Sequence, residues 1–132
     1  MFWDNWLTII VAALAGFLVG GIWYGPVMGK AWMAEHGFTE EELAKGNMVQ
    51  IYGTTFLLSM VSAFMLGHLL AHFDPGPRQT MMIASGIALG FIIPAIGTNY
   101  LFSRASRKLF LIDAGYWFFF YTAMGIVFVL MG

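Results

Sequence analysis

The stretch GNMVQIYGTTFLLSMVSAFMLGHLLAHF, residues 46–73, contains no Asp, Glu, Lys or Arg. A helix needs about 20 predominantly apolar residues to cross the hydrocarbon core of a bilayer, and this stretch is longer than that. Its apolar residues run on without the strict alternation of a barrel strand, so it predicts a membrane helix. Residues 5–29, 79–103 and 114–132 are equally free of charge. The sequence therefore predicts an all-α, polytopic membrane protein. One domain of four transmembrane helices forms a bundle, with spans near 5–29, 48–73, 79–102 and 111–131.

Composition agrees. Of 132 residues, 60% are hydrophobic and 10% charged, and the mean hydropathy is +0.78. Soluble domains run nearer half apolar and a quarter charged, and a small domain cannot hide so much apolar surface from water. The solvent is lipid. A net charge of −1 argues against nucleic acid as a partner, which requires a basic surface. Cysteine is absent, which excludes disulfides and thiolate metal sites. Residues 1–6 carry Asp4 and no basic side chain, unlike the n-region of a signal peptide, so the first span is expected to be retained.

The breaks between spans carry turn chemistry. Asp74-Pro75-Gly76-Pro77 is a tight turn. Between spans one and two, Thr39 and Glu42 have capping-box spacing, which predicts a short interfacial helix near 39–45, stopped by Gly46. Trp32 and Met33, just before it, are expected to dip into lipid. Lys30, Lys45, Arg104, Arg107 and Lys108 lie in the first and third connections, and Arg78 alone in the second. Basic loops stay cytoplasmic, so both termini are expected outside the inner (cytoplasmic) membrane of the cell.

That topology gathers polar and aromatic residues near one face. Trp23, Tyr24 and Lys30 close span one, Asn99, Tyr100 and Arg104 close span three, and Asp113 and Tyr116 open span four. A charge at the bilayer centre costs about 2.5–3.5 kcal/mol on insertion scales, so Asp113 is expected to be paired, by Lys30 or an arginine of the third connection. The simpler expectation makes it the N-terminal cap of span four, where the helix dipole favours an anion. Pro26 and Pro94 each remove a helical hydrogen bond and free the carbonyls of Ile22 and Gly90. Spans one and three each carry a Gly-rich stretch followed by proline, with no residue match to support a duplication.

Gly16 and Gly20, Gly21 and Gly25, and Gly86 and Gly90 have the four-residue spacing that lets membrane helices approach closely. Together they offer more small faces than one bundle uses, and a homo-oligomer is expected. Tyr52, Thr55, Ser59 and Ser62 form a hydroxyl stripe, expected to serve packing and i−4 backbone bonds. His68 and His72 share a helix face with Asp74 nearby. Two histidines and one uncertain carboxylate fall short of the three protein ligands of a catalytic metal site, and no metal is expected. No phosphate-binding loop or nucleophile–base–acid set is present, so no catalytic residue is assigned and the cofactor is unspecified.

Trp23-Tyr24-Gly25-Pro26 followed by Gly29-Lys30-Ala31-Trp32 resembles the first signature of an uncharacterised family of small bacterial membrane proteins, Domain of Unknown Function 1761. Asn99-Tyr100, Phe102, Lys108-Leu109 and Ile112-Asp113-Ala114-Gly115-Tyr116 resemble its second. The resemblance implies four spans and brings no activity with it. The leading expectation is a non-enzymatic, oligomeric bundle with a small-ligand or ion site lined by Trp23, Tyr24, Lys30, Asn99, Arg104, Asp113 and Tyr116. The alternatives are a structural or accessory subunit of a larger membrane complex, and a small membrane enzyme acting on a lipid or quinone-like substrate.

Overall fold

A computed structural model describes residues 5–132, and every regular element among them is helical. Met1, Phe2, Trp3 and Asp4, which carry most of the segment expected to be a non-leader N-terminus, lie outside the described residues. Helix α1, Trp6–Ile22, runs on through a π-helical turn, Trp23–Val27. Two short helices follow, α2 (Gly29–His36) and α3 (Glu40–Ala44). The long α4 covers Met48–Phe73. The third span is composite: α5 (Pro77–Ile87), a second π turn (Ala88–Ile92), and α6 (Ile93–Ser103). Helix α7, Arg107–Met131, completes the chain. Trp6–Val27, Met48–Phe73, Pro77–Ser103 and Arg107–Met131 are long and apolar enough to cross a membrane.

Side-chain oxygens close the starts of α1, α3, α4 and α7, satisfying backbone donors that have no intrahelical partner. Thr8 N donates to Asn5 Oδ1 (3.3 Å), Glu42 N to Thr39 Oγ1 (3.2 Å), Gln50 N to Asn47 Oδ1 (3.1 Å) and Leu109 N to Ser106 Oγ (3.0 Å). Asp74 ends α4 in the left-handed conformation, and Gly76 and Pro77 open α5. Gly46, expected to stop the surface helix, is not left-handed. The left-handed glycine here is Gly37, at φ 72°, which ends α2, the helix that carries Trp32 and Met33 ahead of the surface helix. Trp32 on this α2 packs its ring on Tyr24 (5.9 Å) and His36 (4.5 Å).

Lipid tails are as apolar as leucine, so helices in a bilayer are held by close packing and polar contacts rather than by escape from water. Helices α1 and α7 form the central pair. Helix α4 lies on the other flank of α1, and α5 and α6 lie against α7. A Cβ on Gly16 would stand 2.6 Å from the Phe120 ring, and one on Gly125 would stand 2.8 Å from Ala84 Cβ. Glycine is what allows these crossings. Ile9, Ala13, Ala63, Leu66, Leu70, Ala84, Ala88, Phe120, Met124 and Phe128 form the core. Phe17 meets Tyr52 and Phe56 edge-on at the α1–α4 seam. The outer surface keeps large apolar side chains exposed, among them Leu18, Val49, Phe91, Leu101 and Leu130. Water would disfavour such a surface; a bilayer does not.

Candidate functional site

Helix α7 is capped by Ser106, so Asp113 sits almost two turns inside it and does not cap it. The sequence set the span near 111–131, with Asp113 at its opening because the charge-free stretch begins at residue 114, whereas the helix extends back through Arg107 and Lys108. Asp113 is 7% exposed. Its carboxylate accepts one hydrogen bond from the Tyr24 hydroxyl on Oδ1 and another from the Tyr100 hydroxyl on Oδ2. Three spans therefore converge on one side chain. Among the described residues no Lys or Arg forms an ion pair with it. Lys30 and Arg104, expected as its partners, are both exposed, with Arg104 drawn into the left-handed cap of α6.

The π turn explains how span one delivers two consecutive side chains to α7. Pro26 has no N–H to donate to the Ile22 carbonyl. The chain widens, and Met28 N bonds to Trp23 O (2.6 Å), five residues back. Widened turns of this kind re-aim side chains. Tyr24 reaches Asp113, while Trp23 lays its indole on α7 and donates from Nε1 to the Ile112 carbonyl (2.9 Å). Gly115 makes room: a Cβ there would stand 2.7 Å from Trp23 Cζ2. Gly29 is equally constrained, since its Cβ would fall 2.5 Å from the Tyr24 carbonyl oxygen. The Tyr116 ring lies tilted against Tyr24, 5.1 Å between centroids, and rests on Gly20. Ser106 Oγ donates to Glu35 Oε2 (2.8 Å), tying α2 to the start of α7.

Of the residues gathered by sequence reasoning, Trp23, Tyr24, Asp113 and Tyr116 come together. Lys30, Arg104 and Asn99 do not join them: Asn99 is exposed and makes no hydrogen bond to Asp113. Its neighbour Tyr100 takes the place, a residue the sequence puts at the right depth without marking its direction. The glycine pairs divide in the same way. Gly16 and Gly20 pack on Phe120 and Tyr116, whereas Gly21, Gly25, Gly86 and Gly90 face open space. In α4, Thr55 Oγ1 donates to Ile51 O (2.7 Å) and Ser59 Oγ to Thr55 O (3.0 Å), so these hydroxyls of the stripe serve their own helix. His72 packs edge-on against Phe73, and no group of three potential metal ligands occurs among the described residues.

These features define a class: a helical, multi-pass membrane protein with a carboxylate inside its helix bundle. The family described as "Protein of unknown function (DUF1761)" matches residues 7–129. The chain belongs to that family. No curated protein and no solved structure matches it. Both stretches that resemble the family's signatures meet here, since Trp23 and Tyr24 come from the first and Tyr100, Asp113 and Gly115 from the second.

Proposed function

We propose that this protein binds a small cation at Asp113, as a non-enzymatic, homo-oligomeric bundle in the inner membrane with the site near its cytoplasmic face. The observation that carries the reading is a buried carboxylate with two tyrosine hydroxyls and, among the described residues, no basic side chain paired to it. Ionisable groups inside membrane spans are costly and mark ion or ligand sites when they persist. Both carboxylate oxygens already accept from hydroxyls, and those phenol oxygens can also donate lone pairs to a cation. The ring of Tyr24 at the site is backed by those of Tyr116 and Trp32, and aromatic faces attract positive charge. The basic first and third connections support the cytoplasmic placement. The open faces of Gly21, Gly25, Gly86 and Gly90 support association with further copies.

Thermal unfolding followed by tryptophan emission tests this, because Trp23 lies against the backbone next to Asp113. The wild type is heated in sodium, potassium or choline chloride at equal ionic strength, and across a range of pH. A cation at a hundred times its dissociation constant stabilises the folded state by about 2.7 kcal/mol. One of these series should raise the midpoint of the wild type and leave Asp113→Asn unmoved. Equal responses of the two proteins in every series would overturn the reading.

A further inference from the structure

Beside Tyr100, α6 and the start of α7 flank a groove of about 770 Å³ whose lining does not include Asp113. That lies within the roughly 300–1,000 Å³ typical of small-molecule sites. Pro94, Gly97, Leu101 and Phe110 give it apolar walls, and Arg107 is the one charged side chain in its lining. The groove follows α6, whose 11 residues run from Ile93 to Ser103. Ile93 stands near the middle of the span Pro77–Ser103, and Arg107 stands past its end. At 1.5 Å per residue α6 is about 16 Å long, and one leaflet is half of a hydrocarbon core about 30 Å thick. The groove thus has the length of one leaflet, apolar toward the midplane and cationic at the interface.

Charge at the mouth selects among lipids. Arg104 and Lys108 flank Arg107, and all three are exposed. The acid at this rim, Glu35, already accepts a hydrogen bond from Ser106. Basic side chains at a membrane interface draw anionic headgroups. We propose that the groove binds one anionic phospholipid of the leaflet facing the first and third connections, its headgroup at Arg107 and an acyl chain along Pro94, Gly97 and Phe110. This goes beyond the cation reading and stands apart from it: Tyr100 lines the groove and Asp113 does not.

The full-length protein in detergent is mixed with phosphatidylglycerol and phosphatidylcholine of identical chains, and native mass spectrometry counts the lipids retained. One phosphatidylglycerol per chain is expected, in preference to phosphatidylcholine by about fivefold, the effect of one interfacial cation. Arg107→Gln should lower the ratio several-fold, Arg107→Lys should keep it, and Leu101→Trp should reduce retention of both lipids. Asp113→Asn should leave the preference intact, so failure of the cation reading does not imitate failure here. Equal retention of the two lipids by the wild type, several weakly held lipids with no preference, or an undiminished preference in folded Arg107→Gln would each overturn the proposal.

Discussion

Asp113 holds its place through two donors from separate spans, so each tyrosine can be tested by removing a single oxygen. Hydrogen bonds to charged groups contribute about 1.5–3 kcal/mol. Tyr24→Phe and Tyr100→Phe should each lower the stability of the detergent-solubilised protein by an amount in that range, read from denaturant or thermal unfolding. In the Asp113→Leu background the same changes should cost much less, since the partner is gone. Equal losses in both backgrounds would mean that the hydroxyls act elsewhere. Asp113 was legible in the sequence as the acid beside a span at this depth. Tyr100 was not singled out over Asn99 because depth can be read from chain position while direction cannot. Neighbours on a helix point about 100° apart, and a helix bathed in lipid and packed on other helices is apolar all round. The same ambiguity made Lys30 and Arg104 plausible partners, although both are exposed.

At the scale of elements, proline and glycine set the geometry. Pro26 lies within the first π turn, and the second π turn ends two residues before Pro94. The sequence marked both prolines as places where hydrogen bonding breaks; it did not reveal that the helices continue through them by widening. Pro26→Ala restores the missing donor and lets an α-helical turn form, which rotates Trp23 and Tyr24 relative to α7. Loss of the Trp23–Ile112 bond should then appear as a shift in tryptophan emission and increased quenching by a water-soluble quencher, whereas an unchanged spectrum would argue against the π turn. The glycines give a paired test. Gly16→Ala drives a methyl into Phe120, and overpacking costs about 1–3 kcal/mol. Gly86→Ala meets nothing within the chain and should gain up to about 1 kcal/mol of helix propensity. If Gly86→Ala instead weakens self-association in native mass spectrometry, its open face is a contact between copies.

For the whole molecule, the four spans were legible because charge-free length is a strong signal, and α4 follows the quoted stretch nearly end to end. What the sequence left open was the order of packing. The placement of α1 and α7 at the centre follows from close approaches at Gly16, Gly115 and Gly125, and a glycine is the same letter whether it meets a ring or open space. Orientation is tested by a reporter fused to the C-terminus: a periplasm-active reporter should work there and a cytoplasm-active one should not. The reverse pattern would move the Asp113 cluster to the outer face. If Asp113 binds a cation between Tyr24 and Tyr100, infrared difference spectroscopy on the protein in lipid, with the cation or pH exchanged, should show a difference band from a carboxyl group. That band should vanish in Asp113→Asn and shift in both Tyr24→Phe and Tyr100→Phe. A difference spectrum identical in the wild type and Asp113→Asn would contradict cation binding at Asp113.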